Sequence, residues 1–503
     1  MKILSKILPL GGLWGILLSC SSPSIPTDAT QTGKAPEIFP DYTGVTIPSN
    51  LCPTNFMLPD CEEAVARLSV GDLSFTYGDD NKIIIDEDEW KQLIAAASGN
   101  SKGIKVEVYG KKDDKWLSYK DFPIYVAKDT IDPYIAYRLI EPSYITYEDL
   151  AIVQRNITSY EENDIYNNQI IQTEEKGQCI NCHSFQNYGT DNMLFHMRQY
   201  NGGTMFVHNG NLKKIDLKTD STISAGVYPT WHPQAALVAF STNTTRQTFH
   251  TKDKDKIEVF DYESDLILYD VDKNEVSTIS NAKDELECFP TWSPDGKTLY
   301  YTSAHVEIPE NITKEKYIKK NFRNLKYNIY SRSFDLTTHK FGEPQLVFDA
   351  AALEKSASLP RISPDGRYLT FALGNYGCFH VWHNDADVCI IDLQDTNAQP
   401  LNTQLLNSDK SESYPSFSSN GRWIMTASRR DDGNYTRPYI AYFDTQGKCH
   451  KAFELPKQDP EHNMLLLRSY NRPEFMKQKV KVTPQQFATK AQEEAVHAKF
   501  VIK

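Results

Sequence analysis

The residues best suited to chemistry concentrate in one short run, Cys179-Ile180-Asn181-Cys182-His183, a C-x-x-C-H pattern. That pattern is the attachment signature of a c-type haem. Two thiols three positions apart on one helical turn each reach a vinyl group on the same porphyrin edge, and the next imidazole swings beneath the ring to bind iron. On this reading Cys179 and Cys182 form the thioethers of haem c and His183 is the proximal iron ligand. With nine Cys and twelve His in 503 residues, chance supplies the pattern about 0.004 times. Two alternatives stay open. A thioredoxin-like C-x-x-C wants a preceding strand, and the polar stretch 172–178 does not read as one. A structural disulfide or zinc site is the other, although no second Cys or His pair stands at finger spacing.

The far side of the iron needs its own ligand. Residues 192–200 read as a helix with Met193, His196 and Met197 at i, i+3 and i+4 on one face. His196 is the first candidate and Met197 the second, with Met205 and His208 behind them; histidine would lower the potential and methionine raise it. The opposing reading makes the methionines core and His196 a satisfied polar residue.

The segments that must position this motif begin with an export signal. Lys2 and Lys6 precede an apolar run, 7–18, too short to span a bilayer comfortably. It ends in Leu17-Leu18-Ser19-Cys20, which resembles the lipobox of bacterial lipoproteins. The resemblance implies acylation of Cys20, a lipid-membrane anchor, and a place in the cell envelope on the periplasmic side or the outer-membrane surface. An ordinary secretory peptide is the alternative. Export also permits disulfides, so Cys52/Cys61 and Cys378/Cys389 are candidate pairs, with Cys288 and Cys449 as buried free thiols.

The chain then divides into a signal peptide 1–20, a flexible tether 21–39 and a small β-rich domain 40–140, with strands at 73–77 and 104–109 and one helix over 86–97. A polar, helix-rich segment 141–202 carries the haem motif. A repeat region 203–460 and a charged, helix-leaning tail 461–503 complete it. The repeat is Tyr228-Pro229-Thr230-Trp231-His232-Pro233, then Phe289-Pro290-Thr291-Trp292-Ser293-Pro294-Asp295-Gly296, Leu359-Pro360-Arg361-Ile362-Ser363-Pro364-Asp365-Gly366 and Tyr414-Pro415-Ser416-Phe417-Ser418-Ser419-Asn420-Gly421. Each copy leads into an apolar strand, as in Leu237-Val238-Ala239-Phe240. Pro and Gly fix a tight turn between two strands, and apolar strands pack face to face between neighbouring blades.

These runs resemble the repeat of TolB-like propellers, which implies a mainly β fold with a TolB-like β-propeller of five or six blades. The run Cys179-Ile180-Asn181-Cys182-His183-Ser184-Phe185 ahead of such repeats resembles a group of bacterial lipoproteins with a single C-x-N-C-H-S-F haem motif. That resemblance implies a haem-bearing envelope component.

Other classes are disfavoured. A formal charge of −12 argues against nucleic acid, which rewards a basic surface. No G-x-S-x-G elbow or phosphate-binding glycine loop occurs, and too little chain follows the last repeat to build a hydrolase domain. His380, His383, Asp385 and Asp387 cluster around one turn, yet in a strand the two histidines face opposite sides, so a polar loop is the better reading than a metal site. The sequence therefore predicts a covalent-haem electron carrier whose propeller docks a protein partner, with peroxidase-like chemistry at an open haem face left as an alternative. The competing prediction is a TolB-like scaffold that binds a protein or glycan without redox activity.

Overall fold

Alternating apolar runs punctuated by Pro-Asp-Gly turns build radial antiparallel sheets. The computed structural model describes residues 23–141, 149–171, 173 and 177–502, so Cys20 lies outside the described residues. The fold is mainly β, and six sheets form the blades of a propeller. Blade 2 comprises Gln178–Gln186, Gly189–Gln199, Gly203–His208 and Asn211–Asp216. Blade 3 comprises Val227–Trp231, Leu237–Phe249, Ile257–Asp270 and Glu275–Ser280, and blade 4 is built on Glu285–Trp292, Thr298–His305 and Asn328–Asp335. Blade 5 has Ser356–Ile362, Tyr368–Gly374 and Asp387–Asp392; blade 6 has Glu412–Phe417, Trp423–Ser428, Arg437–Tyr442 and Phe453–Glu454. Blade 1 takes Tyr134–Ile140, Ala151–Asn156 and Glu162–Asn167 from early in the chain and its innermost strand, Ser469–Met476, from the C-terminal end.

The repeat turns explain themselves locally. Ser293, Ser363 and Ser418 each donate a hydroxyl hydrogen bond to the acidic or amide side chain two residues on, and each accepts from the backbone N–H five residues on. In blade 3 the ring of His232 substitutes, its Nδ1 accepting from Gln234 and Ala235 N–H at 3.2 and 3.0 Å. Gly296 closes its turn at φ 72°, a left-handed conformation that glycine adopts without strain.

Every inner strand carries a bulge at the same place. At the register shift sits a residue of positive φ: Cys182 (55°), Tyr228 (51°), Phe289 (54°), Leu359 (56°), Tyr414 (47°) and Arg472 (52°). Left-handed backbone costs a non-glycine residue roughly 1–2 kcal/mol, so its recurrence in six blades marks a constraint of the architecture.

Two expectations need correction. The described part of segment 141–202 is not helix-rich: 178–186 and 189–199 are long strands, and the propeller starts well before residue 203. The helical spacing of Met193, His196 and Met197 misled because the whole run 193–197 is buried, so the apolar alternation of a half-exposed strand is absent. The tether also has structure: Thr30–Gln31 pairs in parallel with Leu117–Ser118, which satisfies its backbone, and Ile38 is buried.

The N-terminal domain is a seven-stranded sheet with the helix Glu87–Ala97 laid on it through Trp90, Leu93, Ile94 and Ala97. Asp86 caps the helix by accepting from the N–H groups of Asp88 and Glu89. Its core runs without a break into blades 1 and 6, joining Tyr42, Phe56 and Trp90 with Trp423, Phe453 and Tyr470. The buried Arg155 bridges the junction by donating to Pro456 O at 2.8 Å. After the closing strand, helix Pro484–Ala491 plugs the core between blades 1 and 2, where Phe487 meets Phe195 at 5.0 Å. Val496–His497 and Lys499–Phe500 then pair in parallel with the outer strands of blades 2 and 3.

Closure is therefore open to test. Tyr470 is buried edge-on against Tyr137 at 4.8 Å and bonds Asn463 Oδ1 at 3.0 Å. Tyr470→Ala is expected to lower unfolding free energy by about 3–5 kcal/mol in urea titrations. A chain ending before Ser469 is expected to show no cooperative melt by circular dichroism, and an unchanged melt would refute the need for closure.

Candidate functional site

The C-x-x-C-H run lies on the innermost strand of blade 2, beside the propeller axis. Cys182-His183-Ser184-Phe185 takes the register place of Tyr228-Pro229-Thr230-Trp231, Phe289-Pro290-Thr291-Trp292, Leu359-Pro360-Arg361-Ile362, Tyr414-Pro415-Ser416-Phe417 and Arg472-Pro473-Glu474-Phe475. Cys182 is thus the bulge residue of its blade and His183 stands where five blades carry proline. Asn181 Oδ1 accepts the Cys182 N–H at 2.8 Å, and Arg138 donates to Ile180 O at 3.0 Å.

The three motif side chains are buried, Cys179 at 8% exposure, Cys182 at 3% and His183 at 1%. Cys179 joins the apolar core between blades 1 and 2 with Phe185, Met193 and Phe195. Cys182 lies beside Tyr228 of blade 3. His183 sits against the Arg472 main chain, and burial, with the guanidinium groups of Arg472 and Arg138, holds its pKa well below the usual range. Its Nε2 is buried without a hydrogen-bond partner.

A porphyrin would need a flat apolar slot open to both sulfurs and the imidazole. Here the run is extended instead of helical, the two sulfurs face different blade interfaces, and none of the three residues lines the axial cavity. As folded, these residues do not fit a covalent haem. The distal candidates do not converge either. Met193, Met197 and Met205 are core on one face of blade 2, whereas His196 points to the other and bonds Thr204 Oγ1 through Nδ1 at 3.1 Å. His208 is held by Asn192 Oδ1 at 3.1 Å.

The remaining sequence candidates are braces. His380 and His383 occupy a 3-10 turn, not a strand; their partners are Ser358 Oγ at 2.7 Å and Glu258 Oε1 at 3.2 Å. All eight described cysteines are free thiols. Cys52 contacts Arg155, and Cys61 lies 3.7 Å from the Tyr119 hydroxyl. Cys378 sits beside Cys288, not Cys389.

What the repeat does build is an axial cavity of about 170 Å³. Each blade contributes the residue two places after its bulge: Ser184, Thr230, Thr291, Arg361, Ser416 and Glu474. Arg472 and Tyr188 add to the wall. Burial, then the neighbouring Arg472, pushes Arg361 down to about 10, so its guanidinium stays charged at neutral pH. Burial raises Glu474 despite the attraction of Arg472 and Arg361, and its Oε2 has no partner. Two guanidinium groups against one carboxyl, with a set of hydroxyls, make a net basic pocket in a chain of charge −12. Sequence reasoning missed these residues. The signal available was the variable position between the proline and the aromatic or isoleucine of each repeat.

The sequence matches no known family profile and no curated protein. Among solved structures the chain is similar to a puromycin hydrolase S511A mutant (10% identity, TM-score 0.36, covering 64% of this chain and 45% of that one). It is also similar to a luciferin-regenerating enzyme (10%, 0.36, 64% and 90%). A third is the β-propeller domain of Myceliophteria thermophila Cps50 (8%, 0.29, 65% and 88%). The chain spans 45% of the hydrolase and 33% of a tricorn protease that it also resembles. These likenesses concern the fold.

The buried histidines predict acid sensitivity. Burial lowers His196 to about 3. A depressed histidine contributes stability that is complete above the unfolded value near 6.5 and is lost as pH falls toward the folded one. Unfolding free energy is expected to fall below about pH 6 by about 1.4 kcal/mol per pH unit for each such histidine. His196→Gln should remove one share of that slope; an unaltered slope between pH 6 and 4 would contradict the buried neutral state.

Proposed function

We propose that this protein is an envelope-anchored binding propeller whose axial cavity takes a small organic anion, one carboxylate paired with Arg361 and Arg472. The observation that carries this reading is the pair of half-buried guanidinium groups converging with Glu474 on a cavity of about 170 Å³. Guanidinium forks match carboxylates in geometry, and charge-assisted bonds in a poorly hydrated pocket are the strong class. The hydroxyls of Ser184, Thr230, Thr291 and Ser416 would orient the rest of the ligand. The sequence supports a lipid anchor at Cys20 and export; a protein docked on the propeller face belongs to the same proposal. On this reading Cys182-His183 is blade 2's own version of the bulge dipeptide.

Isothermal titration with a panel of small mono-, di- and tricarboxylates tests the site. One or more is expected to bind at one equivalent, and Arg361→Gln or Arg472→Gln to weaken it at least tenfold, which corresponds to about 1.4 kcal/mol. Binding that is indifferent to both variants, or none across the panel, overturns the proposal.

One observation favours a second reading, a covalent haem: the buried Nε2 of His183 lacks a partner, as an iron ligand would in a chain without its metal. Intact mass and visible absorption of protein matured alongside c-type haem ligation machinery decide between them. The expected result is colourless protein with unmodified Cys179 and Cys182; haem mass on those sulfurs would overturn the bulge-dipeptide reading.

A further inference from the structure

Away from the axis, three chemically matched side chains meet where blades 3, 4 and 5 adjoin. Asp261 comes from the long third strand of blade 3, Cys288 from the inner strand of blade 4 just before its bulge residue, and Cys378 from the connection that leaves Tyr368–Gly374 of blade 5. Their ligand atoms all lie within 4.8 Å of one another, and none of the three side chains is more than 1% exposed. We propose that Asp261, Cys288 and Cys378 bind a single zinc-class divalent cation that ties these blades together.

The donor set selects the metal. Two thiolates and one carboxylate suit zinc or a similar borderline ion and disfavour calcium and magnesium, which want oxygen throughout. Orientation of the carboxylate is already set. Asn243 Nδ2 donates to Asp261 Oδ2 at 2.6 Å and Thr245 Oγ1 donates to Oδ1 at 2.8 Å, the outer-shell bonding that ligating carboxylates receive. Cys288 lies 3.6 Å from Thr302 Oγ1, and the Tyr327 hydroxyl bonds Cys378.

A second observation is the missing counter-charge. Among the described residues no lysine or arginine hydrogen-bonds or ion-pairs with Asp261, which is fully buried and held by Asn243 and Thr245 alone. A carboxyl in such a place either keeps a proton or shares a cation. The site is closed to solvent, so its effect would be structural, as in other enclosed zinc sites. Binding must displace the thiol protons, and affinity is therefore expected to rise with pH.

The test uses the full chain, reduced and stripped by a chelator, then titrated with Zn²⁺ or Co²⁺. One equivalent should bind, with thiolate-to-cobalt charge transfer and a raised Tm. Cys378→Ser and Asp261→Asn should each weaken it at least tenfold, while Cys179→Ser leaves it unchanged. Should the first two variants fail to fold, zinc X-ray absorption of the loaded wild type and of Cys179→Ser decides instead: two sulfur neighbours at about 2.3 Å are expected. An oxygen-and-nitrogen shell, absence of a bound equivalent, or a Cys288–Cys378 disulfide in protein taken from its native compartment would overturn the proposal.

Discussion

The architecture depends on one strand pairing that joins the two ends of the ring. Ser469–Met476 pairs with Tyr134–Ile140, so the innermost strand of the first blade is synthesised last. The entropic cost of bringing such distant segments together grows only logarithmically with the intervening length, while the gain is the burial of a whole blade face. Blade 1 cannot be complete until Ser469–Met476 has been made, and the N-terminal domain, whose core merges with blades 1 and 6, leans on the same seam. The fully buried side chains Tyr137, Trp423 and Tyr470 concentrate there.

Around the axis the dominant constraint is the repeated bulge. Each inner strand turns one residue into the left-handed region, and the next position is proline in five blades and His183 in the sixth. Proline suits the place because it needs no ladder N–H and fixes its own φ. With the bulge in place, the residue two positions on faces the axis and the one after it packs between blades. The polar ring Ser184, Thr230, Thr291, Arg361, Ser416 and Glu474 is thus a consequence of backbone geometry repeated six times, and chemistry at the axis is free to vary without disturbing the packing.

The same geometry explains what could be read from the sequence. Blades 3 to 6 announce themselves because each carries an aromatic or leucine before proline and three of them a Ser-x-x-Gly turn. The inner hairpin of blade 2 escaped because it turns on Asn187-Tyr188, both at positive φ, in place of Pro-Asp-Gly, and because its cysteine and histidine invited a different interpretation; the outer strands, near 203–208 and 211–216, were legible as part of a blade. Blade 1 escaped because its strands are divided between distant parts of the chain. The C-x-x-C-H motif was legible as residues, but its haem geometry presupposed a helix, and strand Gln178–Gln186 separates its sulfurs into different interfaces. The helix Glu87–Ala97, with its Asp86 cap and Trp90 face, shows the opposite case, in which local signals and tertiary packing agree.

The short parallel strands at 496–497 and 499–500 occupy the outermost edges of blades 2 and 3. Unpaired edge backbone invites strand addition by another chain, and two adjacent sectors of the rim are already taken. The perimeter of this near-symmetric ring is therefore polarised: one arc is sealed by the chain's own segment 496–500, and a neighbour that joins by extending a blade must approach from the remaining arc.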